Sequence, residues 1–374
     1  MNISLGTLMT AFVVAGCISA LFTPVSIRVA HFIGAIDIPK DDRRMHTKAM
    51  PRFGGMAIFI GTMSTLCVFA GSNPNIFPVI IGGCLIYALG VADDLLCLNA
   101  KVKFILQLLI AILMYYMGLR IKFIANYFGE GNIHFADAAC FIVTVIWIVG
   151  ITNTINLVDG LDGLAAGVGA IAALSIAYVA YIHGTQNGMM IVCLAMLAVA
   201  GSCIGFLPFN FYPARTFMGD SGSLFLGFMM ATLSVVGPLK RSTMVAVVIP
   251  VLVLGIPIFD TAFAILRRLV NRRPIMEADK GHLHHRLMQS GYGQRRAVLM
   301  LYGICAIMGM AAVLISRELY KDSFVLAAIA GVYLYVFLTD PNHKMPHIKA
   351  VNIAEEERKA SKLEKQKEKQ DNRE

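Results

Sequence analysis

The chain has 374 residues, 57% of them apolar and only 15% charged, with a formal net charge of +9. That balance excludes an ordinary soluble domain and a polar disordered chain, and makes a bilayer the first environment to consider. The basic excess is spread over loops between apolar runs, so it gives no ground for nucleic-acid binding, and no nucleic-acid partner is expected.

In chain order, eleven apolar runs approach or reach the length needed to cross a hydrocarbon core. They cover Leu5 to Ile27, Phe53 to Ala70, Ile76 to Ala92, Val102 to Leu119, Ala138 to Ile151 and Leu164 to Ile182. Met189 to Leu207, Gly222 to Val236, Met244 to Ile265, Ala297 to Ile315 and Ser323 to Leu338 complete the set. Lipid offers no partners to bare amides, and the runs lack the period-two alternation of a barrel strand, so they read as helices. The predicted fold class is an all-α polytopic membrane protein of about eleven transmembrane helices, a single bundle over 1–340 with a charged tail at 341–374. The first run is preceded by no basic residue and is too long for a signal-peptide core, so it is expected to stay as a helix.

Lys and Arg favour alternate loops. Arg28, Lys40, Arg43, Arg44, Lys48, Arg52, Lys101, Lys103, Arg215 and the cluster from Arg267 to Arg296 fall on one side, against Arg120, Lys122, Lys240, Arg241, Arg317 and Lys321 on the other. The positive-inside rule then puts the N-terminus outside and the C-terminus in the cytoplasm. IKFIANYF and NIHF, around a Gly129 to Gly131 turn, predict a small outer hairpin. Eight cysteines, without a CxxC pair, read as small apolar residues. The tail from Glu355 carries seven acidic and seven basic residues, a solvated segment rather than a polybasic lipid anchor.

Carboxylates near a bilayer are expensive, so their placement carries information. Asp93, Asp94, Asp159, Asp162, Asp220 and Asp260 all fall at expected cytoplasmic helix ends. In GVADDLLCLNAKVKF, the adjacent Asp93 and Asp94 need a cation or a proton between them, which suits a Mg²⁺ site or a general base; Lys103 downstream suits a phosphate. A plain helix-capping loop is the alternative. In NTINLVDGLDGLA, Asn153 with Asn156 and Asp159 with Asp162 are spaced to share a helical face, a density of oxygens suited to hydrated Mg²⁺ and sugar hydroxyls. In NFYPARTFMGDSGS, Asp220 stands beside Gly219 and Gly222 just before a helix whose first amides are free, a position suited to a hard cation or a phosphate, and Phe217 is positioned to stack on a base or to anchor at the interface. In PIMEADKGHLHHRL, His282, His284 and His285 with Lys280 and Arg286 form a cationic patch suited to a pyrophosphate; zinc is the alternative, though its usual ligand spacing is missing.

Taken together, HTKAMPRFGG, DDL with a downstream Lys, NLVDGLDGLA, FMGDSGS, PIFDT and HLHH resemble, over about residues 30 to 300, the polyprenyl-phosphate N-acetylhexosamine-1-phosphate transferase family. The resemblance implies a bacterial cell-membrane enzyme with a cytoplasmic active site. Its expected partners are a UDP-N-acetylhexosamine, undecaprenyl phosphate and the bilayer; Mg²⁺, or Mn²⁺ in its place, is the implied cofactor, and a homodimer is compatible with it. By the same resemblance, Asp220 with Asp94 and Asn156 is implied as the metal set, and Asp93 and Asp94 as the base and its partner. Asp159, Asp162, Asn153, Asn156, Asn210 and Phe217 are implied around the uridine and sugar, and Lys48, Lys103, Arg286 and the three histidines at the phosphates. HLHH, where the peptidoglycan branch usually carries three consecutive histidines, resembles the branch that uses UDP-N-acetylglucosamine. The phospho-MurNAc-pentapeptide transferase is the nearest rival. A lipid or solute transporter is the rival of another class, and it predicts ionisable groups at mid-span.

Overall fold

A computed structural model of the chain describes residues 3–37, 49–125, 132–184, 189–236, 251–252, 254–270, 287 and 293–339. Among them are eleven long helices: α1 (Leu5–Ile33), α2 (Gly55–Ala70), α3 (Phe77–Leu96), α4 (Ala100–Tyr116), α5 (Asp137–Val158), α6 (Leu164–Ile182), α7 (Met189–Asn210), α8 (Gly219–Val235), α9 (Gly255–Val270), α10 (Gln294–Ser316) and α11 (Tyr320–Thr339). Each predicted run coincides wholly or in part with one helix. Six of the helices, α1, α3, α5, α6, α7 and α10, are long and apolar enough to cross a membrane. The chain is a mostly helical, multi-pass bundle.

Two small ribbons interrupt the all-helical expectation. The predicted hairpin forms, with β3 (Phe123–Ala125) antiparallel to β4 (Asn132–His134); its turn lies outside the described residues. The other ribbon, β1 (Ile36–Asp37) with β2 (Met50–Pro51), has no signal in the sequence, because two residues are too few for a period-two pattern. It follows directly on α1, which ends at Gly34 with φ 75°, a left-handed cap that only glycine adopts without strain.

The centre of the bundle is α8. All of its residues from Ser221 to Val235 are buried, and α2, α3, α5, α6 and α7 pack around it. Beyond its polar first turn α8 has small or apolar side chains nearly all round, as a helix in such a position should. By contrast α1, α4 and α11 present Leu21, Leu109 and Phe324 outward, as lipid-facing helices do.

Lipid gives little hydrophobic drive for helix association, so close backbone contact must supply the attraction. Glycines provide it at two seams. A Cβ on Gly205 would overlap the carbonyl of Gly16, which brings α7 against α1. A Cβ on Gly90 would stand 2.6 Å from the carbonyl oxygen of Asp220, which locks the C-terminal part of α3 onto the start of α8. The second seam sets the positions of Asp93, Asp94 and Asp220 together.

Candidate active site

Successive helices reverse direction, so the ends of α3, α5 and α7 and the starts of α2, α4, α6 and α8 share one end of the bundle. There the carboxylates gather. Lys103, at the first turn of α4, places its Nζ 2.7 Å from Asp93 Oδ2, 2.8 Å from Asp220 Oδ1 and 3.5 Å from Asn156 Oδ1. Asn156, near the end of α5, donates its amide to Asp220 Oδ1 at 2.5 Å and to the Ser223 hydroxyl at 2.8 Å. The Arg52 guanidinium closes the cluster from the β2 side, paired with Asp220 Oδ2 and standing 3.3 Å from Asp94 Oδ1.

Arg52 is the member that the sequence reading counts only as a loop charge. The available signal was its position before Gly54 and Gly55. Those glycines let the segment lie along Phe217 and Met218, the residues that lead into α8: Gly54 N–H donates to Phe217 O at 2.9 Å, Gly55 N–H to Met218 O at 2.8 Å, and Phe217 N–H to Pro51 O at 2.8 Å. A Cβ on Gly55 would overlap the backbone of Gly222. Burial by itself would lower the Arg52 pKa, but the carboxylates of Asp220, Asp94, Asp159 and Asp93 outweigh it and hold the guanidinium above its ordinary value.

Several expected roles change on inspection of the geometry. Asp94 has no exposed side-chain surface, and its two oxygens accept the backbone amides of Asp220 (2.8 Å) and Ser221 (2.9 Å). It caps α8 from another helix, so the first amides of α8 are not free for an anion. Asp93 is also buried, one oxygen on the Leu98 amide at 2.9 Å and the other on Lys103. Asp159 and Asp162 do not share a helical face, because α5 ends at Val158 and both lie in the turn to α6. Asp162 Oδ2 accepts the Ala214 amide at 3.0 Å and so holds the loop before α8.

Asn153 turns away from Asp220. Its amide donates to the buried Gln107 on α4 at 2.5 Å and to the Val149 carbonyl at 2.8 Å, one rung below the Lys103–Asn156 contact. Asn210 is buried and donates to Thr216 O at 2.9 Å, so it supports the loop from beneath, and Phe217 is half-buried. Lys48, His282, His284, His285 and Arg286 lie outside the described residues. Asp260 lies on α9, also half-buried.

Asp159 differs from its neighbours. Among the described residues its half-buried carboxylate accepts no hydrogen bond and makes no ion pair. Burial pushes its pKa up to about 7; Arg52 opposes the rise, and Asp220, Asp94 and Asp162 add to it. In metal-free protein the folded state therefore keeps a proton that the unfolded chain, with an ordinary carboxylate at 3.8, has released. The stability that Asp159 contributes should decline as pH rises from 3.8 to about 7 and level off above that. Thermal unfolding in EDTA across this range checks it, and Asp159→Asn should flatten the decline.

Among the described residues four carboxylates, those of Asp93, Asp94, Asp159 and Asp220, stand here against two cations, Arg52 and Lys103, so this described part of the cluster is short of positive charge. Its ligand atoms are hard oxygens, and among the described residues no three His, Cys, Asp or Glu side chains form a metal cage. Such a set fits Mg²⁺, which is held by one or two carboxylates and completed by water and substrate phosphate.

A multi-pass bundle with buried carboxylates and cations clustered at one end has the form of a membrane enzyme. The chain belongs to glycosyl transferase family 4, whose sequence pattern matches residues 76–238. It is 42% identical over 321 residues to a Bacillus subtilis protein named probable undecaprenyl-phosphate N-acetylglucosaminyl 1-phosphate transferase, spanning 85% of this chain and 88% of that one. It is 34% identical to the decaprenyl-phosphate N-acetylglucosaminephosphotransferase of Mycolicibacterium smegmatis, over 81% of this chain and 80% of the other. A phospho-N-acetylmuramoyl-pentapeptide-transferase of Moorella thermoacetica matches at 39% identity over 32% of this chain and 36% of its own length.

Proposed function

We propose that this protein transfers N-acetylglucosamine 1-phosphate from UDP-N-acetylglucosamine to undecaprenyl phosphate, releasing UMP and starting a cell-envelope polysaccharide. The observation that carries the reading is the convergence of Asp93, Asp220, Lys103, Asn156 and Arg52 at one end of the bundle, in a chain whose full-length relatives bear this name. The MurNAc-pentapeptide rival rests on a match to only 32% of the chain.

Both substrates are anionic phosphates, so charge neutralisation comes before attack. Lys103 and Arg52 are the cations on hand, and Lys48, Arg286 and the three histidines are proposed to join them at the pyrophosphate. Asp220 and Asn156 would hold Mg²⁺, or Mn²⁺ in its place, which supplies further neutralisation of the phosphates. An oxygen of the lipid phosphate attacks the phosphorus that carries the sugar, and the bond from that phosphorus to the UMP oxygen breaks. One pyrophosphate replaces another, so the reaction is close to reversible. Asp93 is the proposed partner of Lys103 in orienting the lipid phosphate. Asp159, whose carboxylate has no hydrogen bond or ion pair among the described residues, is the better placed proton acceptor.

The site belongs on the cytoplasmic face of the bacterial cell membrane by the distribution of Lys and Arg, with eleven spans and the N-terminus outside. Purified protein with undecaprenyl phosphate and Mg²⁺ should release UMP from UDP-N-acetylglucosamine, and EDTA should stop it. Release only from UDP-MurNAc-pentapeptide would move the chain to the peptidoglycan branch, and no release from either by folded protein would sink the reading.

A further inference from the structure

The turn carrying Asp159 and Asp162 is held by a helix outside the segment matched to the family. Tyr302, half-buried on α10, donates its hydroxyl to the carbonyl of Gly163 at 2.5 Å. Its ring lies against the first turn of α6, where a Cβ on Gly167 would overlap ring carbons Cζ and Cε1 and the hydroxyl itself. Gly163 has φ 78°, the left-handed step that turns the chain from Asp162 into α6, and its carbonyl also receives the Gly167 amide at 2.9 Å. That carbonyl already has its helical partner. The phenol therefore adds orientation to the peptide that closes the turn rather than rescuing an unpaired group.

From this turn the support continues outward. Asp162 holds the Ala214 amide, and the same loop is bound to the Pro51 carbonyl by the Thr216 hydroxyl at 3.0 Å and the Phe217 amide at 2.8 Å, one residue from Arg52. We propose that Tyr302 is a positioning residue of the transferase site: its hydrogen bond to Gly163 sets where Asp159 and Asp162 stand relative to Asp220 and Arg52. This inference rests on the function proposed above. A phenylalanine would pack against Gly167 as well as the tyrosine does, so the hydroxyl's contribution separates cleanly from that of the ring.

The test is steady-state UMP release by the full chain at saturating undecaprenyl phosphate and varied UDP-N-acetylglucosamine. Tyr302→Phe should lower kcat about 10-fold, the usual effect of losing an outer support, with KM changed less than about 2-fold and the thermal midpoint unmoved. Gly167→Ala, which pushes the ring off α6 while keeping the hydroxyl, should reproduce the kcat loss. The double variant should be no worse than the more affected single, because both break one contact. An active parent with an unaffected Tyr302→Phe overturns the inference alone, as does a kcat loss that only follows loss of folded protein, or single effects that multiply. A parent silent with both UDP-sugars overturns the functional reading, and the inference falls with it.

Discussion

Asp220→Asn is expected to lower UMP release about a thousandfold while leaving the protein folded. The size follows from the position of the side chain. Asp220 receives Lys103 and Asn156 on one oxygen and Arg52 on the other, so it is the point where α4, α5, α8 and the β2 segment meet. Asparagine keeps the shape and loses the charge that a divalent ion and both cations answer to. The fold survives because neither cation is stranded: Lys103 keeps Asp93 at 2.7 Å and Arg52 keeps Asp94 at 3.3 Å. Activity and thermal unfolding of one preparation check both halves, and a variant as active as the parent would remove Asp220 from the reaction.

Asp94→Ala should have the opposite profile, costing stability first. With no exposed side-chain surface, Asp94 satisfies two amides of the central helix, so its removal leaves two buried donors unpaired at about 1–3 kcal/mol each. Asp94→Asn keeps one acceptor oxygen and should recover roughly half of that loss, as an asparagine cap does elsewhere. A base would behave differently, since asparagine is no better than alanine at taking a proton. If Asp94→Asn and Asp94→Ala are equally stable and equally dead, the capping role is wrong. Asp93→Asn, by comparison, should keep α8 capped and show its loss in turnover.

The contrast between these neighbours shows where sequence reading stops. Alternating apolar and polar stretches are a local property, read correctly because lipid forces every spanning segment to satisfy its own amides. The coincidence of each run with a described helix, the small hairpin and the collection of acidic motifs at one end of the bundle were all legible that way. Conversely, adjacent Asp93 and Asp94 look alike in sequence, since nothing local says that one faces Lys103 and the other the start of α8. That difference follows from the 100° turn between successive helical residues together with the Gly90 contact that fixes how α3 meets α8.

The same reasoning covers the other changes of role. Asn153 and Asn156 share a face of α5, but only packing decides that one rung meets Gln107 and the other Asp220. The helical spacing of Asp159 and Asp162 misled because α5 ends at Val158, before both, and Gly163 at φ 78° turns the chain into α6 just after them. Arg52 and Tyr302 were beyond sequence for a further reason: their partners lie 168 and 139 residues away, and the contacts exist only once β2 pairs along the α8 approach and α10 lies on α6. Composition and local pattern thus determined the membrane environment, the helices and which motifs carry charge. Tertiary packing alone decided which oxygen meets which cation, because that depends on helix rotation and on close approaches at single glycines.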